Sequence, residues 1–133
     1  MNTFAVLPFI VSGLVYFLIG WIWYTPLFGK TWAQESGISM TGSRSAAATI
    51  LPMVGQLVSS FLYALGVYLV LMLGNFYSLK GALIVAASVT AFFALSINSG
   101  KLLFNAKPKL YFIDVGYQAV GAVVVALILA FWK

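Results

Sequence analysis

The sequence contains no cysteine and no histidine, and its 133 residues include only two carboxylates, Glu35 and Asp114. Without thiols and imidazoles there is no disulfide framework, no thiol nucleophile and none of the usual zinc ligands. No metal site and no cofactor is expected. A hydrolytic carboxylate pair needs both acids in one site, yet Glu35 falls in a polar stretch and Asp114 in an apolar run. No catalytic residue emerges, and an enzyme is not expected. Charge is scarce throughout: 7% of residues are charged and 63% are hydrophobic, whereas soluble domains carry about 25% charged residues. Water is not the main solvent of this chain.

The few charges that exist are mostly basic, giving a net charge of +5. A basic balance points to nucleic acid when Lys and Arg cluster on one folded face. Here the bases flank hydrophobic runs, which is where membrane topology places them. A nucleic-acid partner is not expected; the lipid bilayer is. At the N-terminus, Met1-Asn2-Thr3 lacks the basic start of a signal peptide. The apolar run that follows reaches Tyr24, beyond the roughly 7–15 residues of a signal core. It is read as a retained transmembrane helix.

A spanning helix needs about 20 mostly apolar residues, and four segments qualify: 4–24, 49–73, 79–104 and 110–132. A β-barrel would alternate polar and apolar residues at every second position, which these segments do not. The expected fold is an all-α membrane protein, one domain over 1–133. Four transmembrane helices form an antiparallel bundle, with a short interfacial helix after the first span and a polar loop over 33–45.

That interfacial helix is read from Trp21-Ile22-Trp23-Tyr24-Thr25-Pro26-Leu27-Phe28-Gly29-Lys30-Thr31-Trp32. Trp and Tyr gather at headgroup level because their rings are apolar bodies with one polar atom. Thr25 is suited to cap a helix whose first residue is Pro26, where the missing N–H costs nothing. Gly37 is the natural terminator. Phe28 and Trp32 share a face, so this helix is expected to anchor along the membrane surface, ahead of a role as a lid or docking element. The stretch 39–45 reads as a flexible linker.

In the second helix Pro52 lies near the start, and Gly55, Ser59, Ser60, Ala64 and Gly66 offer small surfaces for close helix approach. The third helix carries a stripe of Ala87, Ala91, Ala94, Asn98 and Lys101, spaced four, three, four and three. The fourth carries Asp114, Gln118, Ala122, Ala126 and Ala130. Both stripes turn polar toward the basic connection around Lys107-Pro108, and they are expected to face each other. With a hinge there, Lys101 and Asp114 stand equally far from it, and Asn98 and Gln118 form a deeper rung.

The Lys and Arg count near the helix ends sets the orientation. Lys30, Arg44, Lys101, Lys107 and Lys109 lie on one side, with Lys80 and Lys133 opposite. Loops 25–48 and 105–109 are therefore expected in the cytoplasm and both termini outside.

The pattern WIWYTPLFGKTW, followed by KPKLYFIDVGYQ at the opening of the last helix, resembles a bacterial family of small four-span membrane proteins known as domain of unknown function seventeen-sixty-one. The resemblance covers nearly the whole chain. Its signature comprises Trp23, Tyr24, Pro26, Phe28, Gly29, Lys30 and Trp32, with Asp114, Gly116 and Tyr117 as a second anchor. It implies an integral protein of the bacterial inner membrane and no particular activity.

Charged groups within a membrane are expensive and mark functional candidates, so Asn98, Lys101, Asp114 and Gln118 form the candidate polar cluster. Three arrangements compete. Lys101 and Asp114 pair to fix the hairpin register; or the cluster lines a cytoplasmic vestibule for an ion or small solute; or Lys101 snorkels along its stem while Asp114 caps the last helix. The first is the leading expectation. The corresponding function is a non-enzymatic structural or interaction protein, self-associating into a homo-oligomer or joining a larger membrane complex. The alternative is an oligomeric channel or small transporter using the Lys/Asp/Asn/Gln cluster, with Ser12, Tyr16 and Gln56 as further lining. Small multidrug exporters are comparably short but depend on a Glu in the first helix, and 4–24 contains no acid.

Overall fold

A computed structural model describes residues 4–37 and 46–132. The described chain folds into helices only: α1 (Val6–Ile22), α2 (Gly29–Ser36), α3 (Ala46–Gly74), α4 (Leu79–Val89), α5 (Leu95–Leu103) and α6 (Pro108–Phe131). A π turn at Trp23–Leu27 extends α1, and a second at Thr90–Ala94 joins α4 to α5. Among the described residues, four stretches are long and apolar enough to cross a membrane: Val6–Leu27, Ile50–Gly74, Leu79–Leu103 and Pro108–Phe131. They match the four expected spans to within a few residues. The linker expected over 39–45, with Arg44, lies outside the described residues.

The fourth span is the hub. Half of its most apolar window is buried (50%), against 28–33% for the others. It packs on α1, α3, α4 and α5, while α1 also packs on α3. Small residues set these approaches: Ala122 and Ala126 of α6 are fully buried with Ala82 and Ala64 in one core around Leu71 and Val125. Membrane helices gain little by excluding lipid from one another, so close van der Waals contact must hold them together. The second span meets α4, whereas α5 packs on α6. Spans two and three therefore converge at the α4 end and part toward the α5 end.

The second π turn corrects the expected stripe of the third helix. Ala94 and Asn98 are buried and Lys101 half-buried, as expected, but Ala87 and Ala91 face outward and Ala82, Val85 and Ala86 face the core. An ordinary helix returns to the same face after seven residues. A π turn inserts one residue, so the inward position preceding Ala94 is Ala86 instead of Ala87. The fourth-helix stripe holds: Asp114, Ala122, Ala126 and Ala130 are buried and Gln118 partly so.

Pro26 is also placed differently from expectation. It lies inside the first π turn and not at the first position of a new helix, and the N-cap of α2 is Phe28, with no capping side chain. Proline removes an N–H from an ordinary helical turn; here Phe28 N–H reaches back to the Trp23 carbonyl at 2.9 Å, closing the wider turn around it. The short helix then ends at Gly37 with φ of 72°, as the sequence indicates. Gly29 is fixed by a close approach. A Cβ there would sit 2.5 Å from the Tyr24 carbonyl oxygen, a backbone atom that cannot step aside. Gly29→Ala is expected to destabilise the first-span corner by about 1–3 kcal/mol, read as a lower midpoint of unfolding in detergent.

Candidate functional site

The hairpin between α5 and α6 positions the polar cluster. Its turn is built by N–H groups of Phe104 and Asn105 on the Gly100 carbonyl (3.0 and 3.1 Å) and of Lys107 on the Lys101 carbonyl (2.8 Å). Pro108 opens α6 where no intrahelical N–H is required. Lys101 and Asp114 then stand opposite each other, and the ammonium forms a salt bridge with Asp114 Oδ2. Lys101 also donates to Asn98 Oδ1 at 2.7 Å, one turn earlier on the same helix. Asn98 Nδ2 donates to the Ala94 carbonyl at 2.7 Å and to Gln118 Oε1 at 3.2 Å. The structure thus brings together all four residues of the expected cluster in the two rungs that their spacing from the turn implies.

The directions of these bonds follow from the ammonium. A lysine has donors only, so Asn98 must turn its oxygen to Lys101 and its NH2 to Gln118. Gln118 therefore has its oxygen engaged and its NH2 group to offer. Asp114 lies beyond the first turn of α6 and makes no capping bond; its second oxygen accepts from the Tyr24 hydroxyl. Charge-assisted bonds of this kind are about twice as strong as neutral ones.

Tyr24 and Trp23 are the members that sequence reading missed. Beside the membrane-surface position expected of both, Trp23 Nε1 donates to the Ile113 carbonyl at 2.9 Å and its ring faces Gly116. Phe28 leans on Trp23 in a tilted contact at 5.0 Å and Trp32 meets Tyr24 edge-on at 5.7 Å. Lys30 is exposed. The signature residues thus tie the end of the first span to the opening of the last. Lys107 adds a strap, donating from Nζ to the Glu35 carbonyl near the end of α2.

Beneath the ion pair lies a tyrosine floor. Tyr16 stacks on Tyr63 at 4.2 Å and leans on Tyr117 at 4.7 Å, and Tyr24 meets Tyr117 edge-on at 5.4 Å. Tyr117 donates to the Tyr16 carbonyl at 3.3 Å and accepts from Gln56 Nε2 at 3.2 Å, and Tyr63 donates to the Gln118 carbonyl at 3.1 Å. These groups floor a cleft of about 1010 Å³ between spans two and three. Its walls include Met53, Leu62, Val70, Phe93 and Ile97, all substantially exposed, so it opens sideways toward the surrounding hydrocarbon. Lys101, Asp114 and Gln118 lie at one end with Thr25 and Trp32; Gly66, Val67, Val70 and Val89 lie toward the other.

Of the residues expected to line a channel, Tyr16, Gln56 and Gln118 reach the cleft. Ser12 is fully buried and bonds the Phe9 carbonyl at 3.0 Å, and Asn98 is 2% exposed. A model of the family described as "Protein of unknown function (DUF1761)" matches residues 7–130. No curated protein and no solved structure matches the chain.

Proposed function

We propose that this chain, which belongs to the DUF1761 family, is a non-catalytic interaction protein whose cleft receives a guest from within the membrane. The lateral opening of the cleft carries this reading. Its polar groups are bonded to one another on a floor, while its lips are apolar and turned to the lipid. A polar floor inside an apolar groove suits recognition of a partner already dissolved in the bilayer. Ion passage needs polar groups along a continuous path, and two of the expected lining residues are packed away instead. A non-catalytic role accords with the carboxylate chemistry: Asp114 has both oxygens engaged, by Lys101 and Tyr24, and Glu35 is on α2.

The bacterial inner membrane and the orientation with loops 25–48 and 105–109 in the cytoplasm belong to the same proposal, supported by the five-to-two distribution of bases. It places Lys101 and Asp114 toward the cytoplasmic leaflet. Self-association has its own support in Gly55 and Gly66, whose missing side chains face open space; a second copy is one form the guest can take.

Adjacent phenylalanines provide the test. Phe93 lines the cleft and Phe92 does not, although both are exposed, at 60% and 72%. A benzophenone amino acid replaces each in turn, and intact membranes are illuminated. The expected result is a discrete adduct from position 93 that position 92 does not give. Identical product patterns from both positions would mean that the cleft holds nothing different from bulk lipid, and would overturn the proposal.

A further inference from the structure

Resting on that reading of the cleft, we infer that its guest is an anionic membrane lipid, head at Lys101 and Gln118, one of its chains among the apolar walls. Three observations converge on this occupant.

The first is polarity along the cleft. Its polar end lies near the hairpin turn, where Lys101 is two residues from the end of α5. Its apolar end reaches Val89, twelve residues earlier on the third span. At about 1.5 Å per helical residue that is about 18 Å, close to the roughly 15 Å of one leaflet of a 30 Å hydrocarbon core. A lipid chain already points this way, head at the surface and tail toward the midplane.

The second is the supply of donors. Lys101 has three N–H groups, and its bonds to Asp114 and Asn98 leave one for a guest. Gln118, with Oε1 taken by Asn98, has its NH2 group to give. Lys107 and Lys109 flank the same end, with Lys30 on α2 beyond the first span. Donors backed by positive charge select an acceptor-rich, anionic head, as basic residues at a membrane surface attract anionic lipids.

The third is size. The cleft holds about 1010 Å³, at the upper end of the ~300–1,000 Å³ typical of small-molecule sites. A spanning helix about 30 Å long and 10 Å across displaces roughly 2,400 Å³, so most of a second helix would remain outside.

The test uses the full chain in vesicles of equal parts phosphatidylglycerol and phosphatidylcholine, released into the gas phase for native mass spectrometry. One phosphatidylglycerol per chain is expected to be retained in preference to phosphatidylcholine. Gly66→Leu fills the apolar part of the cleft at an exposed position and is expected to reduce retention at least tenfold. Gln118→Leu removes one of the two donors and is expected to narrow the preference between the two lipids. Free glycerol phosphate supplies the head without the tail and should not be retained. Equal retention of both lipids by the wild type would overturn the inference, as would retention unchanged in Gly66→Leu, because attraction to the basic surface alone ignores that position. A polypeptide adduct from the Phe93 probe would reject the amphiphile while leaving the cleft as a binding site. The absence of any adduct specific to position 93 would reject the cleft itself.

Discussion

Asp114→Ala is expected to lower the unfolding free energy by about 3–5 kcal/mol, the usual cost of removing one partner from a buried ion pair. The Asp114 side chain is 9% exposed, and its carboxylate accepts from two donors that belong to different spans. Its loss leaves the Tyr24 hydroxyl without its acceptor and the Lys101 ammonium with Asn98 alone. Lys101→Ala should cost less, because that side chain is 32% exposed and the charge it abandons is still bonded by Tyr24. The decisive measurement is the full double-mutant cycle, followed by equilibrium unfolding in mixed micelles. Coupling predicts that the double alanine variant loses less than the sum of the singles, and that the exchanged pair Lys101→Asp with Asp114→Lys recovers part of the loss. Tyr24 can accept from an ammonium as well as donate to a carboxylate, so exchange does not strand it. Strict additivity with no recovery would show that the two charges stand side by side without holding the hairpin.

The cluster was legible where its members follow from one chain segment. Lys101, Asn98, Asp114 and Gln118 are related by a short turn, and helical spacing on either side of it fixes which of them meet. Tyr24 was not legible for the opposite reason. It approaches Asp114 from a position 90 residues away, and no periodicity within one helix reports a contact between the first and last spans. Its sequence context argued for the membrane surface because an aromatic pair at a helix end is usually an anchor. Trp23 is the same case, and the signal for its contact is the small residue opposite: a Cβ on Gly116 would lie 2.9 Å from the indole.

The spans were equally legible, since length and hydropathy are local quantities, but the faces of the third span were legible only in part. Ala94, Asn98 and Lys101 follow ordinary helical spacing from the hairpin. Ala91 lies within the π turn at Thr90–Ala94 and Ala87 beyond it, and one inserted residue rotates everything before it. Thr90 Oγ1 bonds the Ala86 carbonyl at 2.9 Å there, a competition for backbone acceptors often found where helices bend. The sequence shows a threonine but not whether the helix yields to it. The cleft depends on this register, because Phe93 and Ile97 are turned to its rim by the same phase.

Gly121→Ala is expected to destabilise the molecule strongly through a single methyl group. The added Cβ would collide with the edge of the Tyr16 ring, 2.5 Å from its Cδ2 and closer still to Cε2. A flexible side chain would move away, but Tyr16 is 4% exposed and held between Tyr63 and Tyr117. Its backbone carbonyl also accepts from Tyr117. The strain must therefore separate α1 from α6 or dismantle the tyrosine floor, and overpacking of this kind costs about 1–3 kcal/mol or more. Because the same three rings floor the cleft, loss of stability and loss of the guest should appear together. Tyr16→Leu supplies the control. It shortens the obstructing side chain, so Gly121→Ala added to Tyr16→Leu should cost markedly less than Gly121→Ala alone. The two substitutions, measured singly and together by thermal unfolding in detergent, give a coupling energy whose sign is fixed in advance. A Gly121→Ala protein as stable as the wild type would mean that α1 and α6 do not approach each other so closely, and the cleft floor would have to be rebuilt from that finding.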